Sequence, residues 1–78
     1  MSARNKARKM INAQVYAITG LSLDDLPDTA LLCNHMDTLE EMIEEADSMT
    51  PMSELLDYAQ EAAMEILEEE GYPSHFSA

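Results

Sequence analysis

Apolar side chains recur at helical spacings in three stretches of this chain, and the residues between the stretches cannot stay in a helix. The strongest periodicity runs Leu32, Met36, Leu39, Ile43, Ala46 in steps of four and three, one face of a helix of about twenty residues. It predicts a helix over 28–48 with Asp28 offered as its N-cap. Thr38 and Glu41 have the form of a capping box, so a break at "HMDT" competes with one continuous helix, which is favoured. Before it, Ala7, Met10, Ile11, Ala17 and Ile18 predict a helix over 5–19, stopped by Gly20. After it, Met52, Leu56, Ala59, Ala63 and Ile66, flanked by Leu55, Ala62 and Leu67, predict a helix over 51–70. Thr50 can cap that helix, Pro51 suits its first position, and Gly71 with Pro73 ends it.

Between the first two segments, "LSLDDLPDT" holds turn residues, and Pro27 disfavours helix at Leu26, so a connection or a single helical turn belongs there. No strand pattern competes. The expected fold is all-α, one domain over 1–78: a three-helix bundle, or a helical hairpin plus an N-terminal helix, with a loose tail over 72–78. At 78 residues a single core supplies only about 3–5 kcal/mol, so a dimer pairing the second and third helices would bury more.

Charge is segregated along the chain. Arg4, Lys6, Arg8 and Lys9 are its only bases, all sixteen acids lie from Asp24 to Glu70, and the formal net charge is -12. The apolar fraction of 46% is nevertheless enough to fold, which argues against a disordered acidic tail. Such a potential attracts basic partners and repels nucleic acid and anionic membrane, so direct nucleic-acid binding is not expected. The bases sit in the first turns of the first helix, where the dipole disfavours them, and acids are expected to compensate. No run reaches the ~18–20 apolar residues of a membrane span. Residues 10–23 follow the bases, but Asn12 and Gln14 interrupt them and no A-x-A site follows, so they do not read as a signal peptide. Cys33 is the single cysteine, which excludes a disulfide framework and makes a reducing, cytoplasmic compartment the expectation.

Known chemistries fail at their ligand positions. A calcium loop counted from Asp47 puts Met49 and Pro51 at its third and fifth places, Met52 where Gly is needed and Tyr58 where a bidentate Glu belongs. A di-iron bundle needs Glu three before His, whereas Leu32 and Tyr72 precede His35 and His75. Cys33 and His35 point about 200° apart on a helix and cannot share an ion, so Cys33 is expected as a small buried side chain. No phosphate loop, nucleophile elbow or paired carboxylates in a dry cleft is legible. An enzyme, a metal and a cofactor are therefore not expected. Met36, Met42, Met49, Met52 and Met64 are read as filling a core that has four aromatic side chains.

The acids are the candidate site. Glu54, Asp57, Glu61, Glu65 and Glu68 step by three or four residues into a stripe opposite the third helix's seam, with Glu69 beside it. Glu40, Glu41, Glu44, Glu45 and Asp47 repeat the arrangement on the second helix. A solvated helix face usually alternates Glu with Lys, gaining about 0.2–0.5 kcal/mol per i,i+4 pair. Here Glu40 and Glu44, Glu41 and Glu45, Asp57 and Glu61, Glu61 and Glu65, and Glu65 and Glu69 are like-charge pairs. Something outside the monomer is expected to balance them. Acids three or four apart rise about 5–6 Å per step, a loose imitation of phosphates along a strand.

In its size, its base-free stretch from Met10 to Ala78 and the acidic faces of its second and third helices, the chain resembles the small acidic helical anti-host-defence inhibitors of phages and mobile elements, anti-CRISPR proteins among them. The resemblance is one of type, with no family motif matched. It implies stoichiometric, non-enzymatic inhibition of a nucleic-acid-binding host complex such as a CRISPR–Cas effector. The basic segment "ARNKARK" departs from a purely DNA-mimicking surface and has acids of this chain, of a second protomer or of the partner to pair with. Two other readings stay open: an antitoxin, immunity protein or chaperone that binds through the Met-rich apolar face, and a small regulator whose basic arm touches DNA.

Overall fold

The computed structural model describes residues 2–46 and 51–72. They form three α-helices, α1 (Ala3–Thr19), α2 (Ala30–Glu45) and α3 (Met52–Glu69), with a 3-10 turn at Leu23–Asp25 between the first two. No strand occurs among the described residues. Asp47, Met49, Thr50, Pro73, His75 and the tail beyond Tyr72 lie outside them.

Each helix begins and ends for a local reason. In α1 the Ser2 hydroxyl accepts from the Asn5 N–H at 3.2 Å, which carries the helix two residues further N-terminal than the apolar spacing predicts. Its end is Gly20 at φ 78°, whose N–H donates to the Tyr16 carbonyl at 2.7 Å. No heavy atom would meet a Cβ at Gly20, so only the left-handed backbone resists substitution. Gly20→Ala is expected to cost about 1 kcal/mol, read as a shifted urea midpoint with an unchanged slope.

The cap of α2 is Thr29, not Asp28: the Thr29 hydroxyl accepts from the Leu32 N–H at 3.1 Å. The backbone at Thr29 is extended, the conformation a cap needs, and the first turn starts one residue later than expected. The helix runs unbroken through "HMDT", where Thr38 donates to the Asn34 carbonyl at 3.0 Å instead of capping a new helix. It ends at Glu45, leaving Ala46 outside. Pro51 precedes α3 as its cap rather than occupying the first helical position. At the other end the Tyr72 N–H reaches the Leu67 carbonyl at 2.9 Å and the Gly71 N–H that of Glu68 at 3.1 Å, a Schellman closure with Gly71 at φ 82°.

All three helices pack on one another around a core of Ala7, Ile11 and Val15 from α1, Leu32, Met36 and Leu39 from α2, and Leu55, Ala59, Ala62, Ala63, Ile66 and Leu67 from α3. Leu23 and Leu26 close one side. The small face Ala59, Ala62 and Ala63 lets α3 approach its neighbours closely, which is how a core with no buried aromatic side chain among the described residues stays filled. Five expected positions are corrected. Met52 and Leu56 are 52% and 41% exposed, while Leu55, expected as a flank, is buried. The centre of the seam therefore lies on Leu55, Ala59, Ala62 and Ile66, and Leu56, 100° round from Leu55, falls on its rim. Ala17 is exposed and Val15 takes its place, because Ile11, Val15 and Ala7 are four apart and share a narrower face. Cys33 is exposed, one position round the helix from the buried Leu32.

Candidate partner-binding face

Intramolecular pairing sorts the acids into two groups. Arg4 of α1 bonds through Nη1 to Asp37 Oδ1 at 2.5 Å and Glu40 Oε2 at 3.2 Å on α2, and Arg8 Nη2 meets Asp24 Oδ1 at 2.7 Å. The hydrogen bond donated to Asp37, then that donated to Glu40, raises the Arg4 guanidinium above its ordinary pKa. These pairs supply the compensation that bases near a helix N-terminus call for. They are exposed, so solvent screens them and they contribute little to stability. Glu40 is thereby committed within the molecule.

Glu65 is committed too. His35 projects from α2 toward α3 with its side chain 14% exposed, its Nδ1 lying 2.9 Å from the Tyr58 hydroxyl and its ring edge-on to the Tyr58 ring at 5.7 Å. Glu65 Oε2 approaches Nε2 to 2.8 Å, but off the N–H axis, so the contact is an electrostatic approach rather than an aligned hydrogen bond. With the Tyr58 hydroxyl donating to Nδ1, the ring proton sits on Nε2, beside Glu65 Oε2 but not aimed at it. Sequence spacing could not show this trio, because Tyr58 and Glu65 are seven apart on one helix and His35 lies on another.

The remaining predicted residues among those described have no such partner. Glu41, Glu44 and Glu45 on α2, and Glu54, Asp57, Glu61, Glu68 and Glu69 on α3, are exposed and form no ion pair among the described residues. On α3 the stripe from Glu54 to Glu68 is about 21 Å long. At its C-terminal end Glu65, Glu68 and Glu69 rim a shallow groove of ≈ 350 Å³ floored by Leu31 of α2. Carboxylates around an apolar floor match a Lys or Arg side chain, stem on Leu31 and charge at the rim. The two helices do not merge their acids into one plane: Glu40 faces α1 through Arg4, whereas Glu65 faces α2 through His35. No group of three metal-ligating side chains occurs among the described residues, and none of their helices is long and apolar enough to cross a membrane.

Fold and face together define a class: a small all-α three-helix protein whose acids outnumber its bases and lie mostly unpaired on the outer sides of α2 and α3. Compared with protein-family models, curated proteins and solved structures, the chain matches none.

Proposed function

We propose that this protein is a non-enzymatic binding protein, an inhibitor that occupies a basic, nucleic-acid-binding surface on a partner protein or complex. The observation that carries the reading is the unpaired row Glu54, Asp57, Glu61, Glu68 and Glu69, left without counter-charge while Arg4 and Arg8 are used between α1 and its neighbours. A surface that bears like charge at i,i+4 gains stability when a basic surface covers it. CRISPR–Cas effectors, which the resemblance points to, hold nucleic acid in channels of that kind.

The test reverses charge where the fold does not use it. Glu61→Lys with Glu68→Lys spares Glu65, whose loss would disturb His35 and confuse folding with binding. Immobilised wild-type protein is expected to retain nucleic-acid-binding proteins from a host lysate, to release them as salt rises, and to compete with duplex DNA. The double variant should retain none at an unchanged helical circular-dichroism signal. Retention of the same proteins by the variant rejects the acidic face.

A second reading has its own observation. Met52 and Leu56 are exposed side by side on α3, which favours apolar capture of the antitoxin, immunity or chaperone type. In that case binding barely responds to salt and is lost on Leu56→Ser instead.

A further inference from the structure

One concave region has the opposite character to the acidic faces. Two adjoining cavities, of ≈ 280 and ≈ 310 Å³, share Asn5 and Arg8 as a common wall. The first lies between α1 and the 3-10 turn, against Lys9, Asn12 and Asp24. The second lies over Leu32 and Met36 of α2, with Arg4 and Asp28 at its rim.

Donors outnumber acceptors around the first cavity. Asn12 spends its carbonyl oxygen on the Leu23 N–H at 2.7 Å, which fixes the amide orientation and leaves the NH₂ group as a donor. Arg8 gives Nη2 to Asp24, so Nε and Nη1 keep their donors. Among the described residues the Asn5 side chain makes no hydrogen bond, its backbone alone being engaged by Ser2. The cavity's one carboxylate, Asp24, receives Arg8 through Oδ1, and its side chain is otherwise largely in solvent. Spare donors of guanidinium and amide type are best met by an oxyanion through charge-assisted bonds.

We infer that this cleft binds the phosphate group of a small organic molecule, the anion held by Arg8, Asn12 and Asn5 and the apolar part on Leu32 and Met36. Asp28 at the rim of the second cavity sets that direction, since it disfavours the anion there. The volumes stand at the small end of ligand pockets, about 300–1,000 Å³. A polyanion is excluded by the rest of the surface, because a chain of net charge -12 repels it beyond the cleft.

The full isotope-labelled chain is titrated with inorganic phosphate and with phenyl phosphate at ionic strength held constant by NaCl. Saturable amide shifts are expected at Asn5, Arg8, Leu23 and the Asn12 side chain, with phenyl phosphate the tighter probe. Saturation by either supports the site and tells whether the ion alone or its organic carrier is read. Asn12→Asp keeps an oxygen for the Leu23 N–H but replaces the donor by a negative charge, and should weaken binding at least about tenfold. Arg8→Gln, at a side chain on the surface, should weaken it similarly. Shifts that never saturate with either probe, or Asn12→Asp binding as tightly as wild type, overturn the inference.

Discussion

Leu39→Ala is expected to remove most of the stability of this protein. Leu39 is fully buried in the middle of α2, between Met36 and Ile43 on the same face, and closes on α1 and α3. Truncating a leucine at such a site costs about 2–5 kcal/mol, the transfer term plus the cavity left behind. A domain of this length has only about 4–12 kcal/mol in total, and the low end applies where the core is small. Urea unfolding followed by far-UV circular dichroism should show the midpoint fall steeply, or a chain already partly unfolded in water. The paired control is Leu56→Ala, expected within about 0.5 kcal/mol because its side chain is on the rim. Comparable costs at both positions would mean that Leu56 is covered in solution. A second copy of the chain is the natural cover, and the midpoint of the wild type would then depend on protein concentration.

Raising NaCl from about 0.01 to 0.5 M is expected to stabilise the fold, against the usual behaviour of a surface built on salt bridges. The Debye length falls from about 30 Å to under 8 Å over that range, so both attraction and repulsion between exposed charges are screened. On the attractive side are the pairs of Arg4 and Arg8 with Asp37, Glu40 and Asp24, at the surface and screened by solvent. On the repulsive side are six like-charge i,i+4 pairs, Asp37 with Glu41 among them, at about 0.2–0.5 kcal/mol each, and the longer-range repulsion of a chain with net charge -12. The long-range repulsion of the net charge decides the sign, and each kcal/mol of net gain corresponds to a rise in Tm of about 4–8 °C for a domain of this size. Calorimetry at the two salt concentrations checks the sign. A fall in Tm would show that the Arg4 and Arg8 pairs dominate the surface electrostatics, and the unpaired stripe would lose its energetic argument. Glu61→Lys with Glu68→Lys should flatten the salt response, because it removes repulsive pairs within α3.

The two results bear on function in opposite ways. A fold that tightens in salt while its partner complex loosens in salt separates the internal cost of the acidic face from its external use. If the complex barely responds to salt, the interface is the apolar rim at Met52 and Leu56.

Most of the architecture was legible in the sequence because it rests on short-range rules. Period-3.6 apolar spacing places α1, α2 and α3, Gly20 and Gly71 stop helices by adopting positive φ, and Pro27 forces the break that the 3-10 turn fills. Helix ends were less legible, since Ser2 and Thr29 compete as caps with neighbours of similar chemistry. The choice depends on which residue's backbone is extended. Which flank of α3 is buried was not legible either. Leu55 and Leu56 differ by 100° on a helix, and only the positions of α1 and α2 decide between them.

The candidate site divides along the same line. Sequence alone determines that the acids of α2 and α3 have too few bases to neutralise them, because charge is counted along the chain. Only the tertiary structure decides which acids are spent: Arg4 reaches Asp37 and Glu40 across more than thirty residues, and His35 takes Glu65 from the stripe. It also decides that Cys33 faces outward and that Asn12, which in sequence merely interrupts an apolar run, orients its amide through the Leu23 N–H. Helical spacing fixes the face on which a side chain lies, but what that face meets depends on how the three helices are placed against one another.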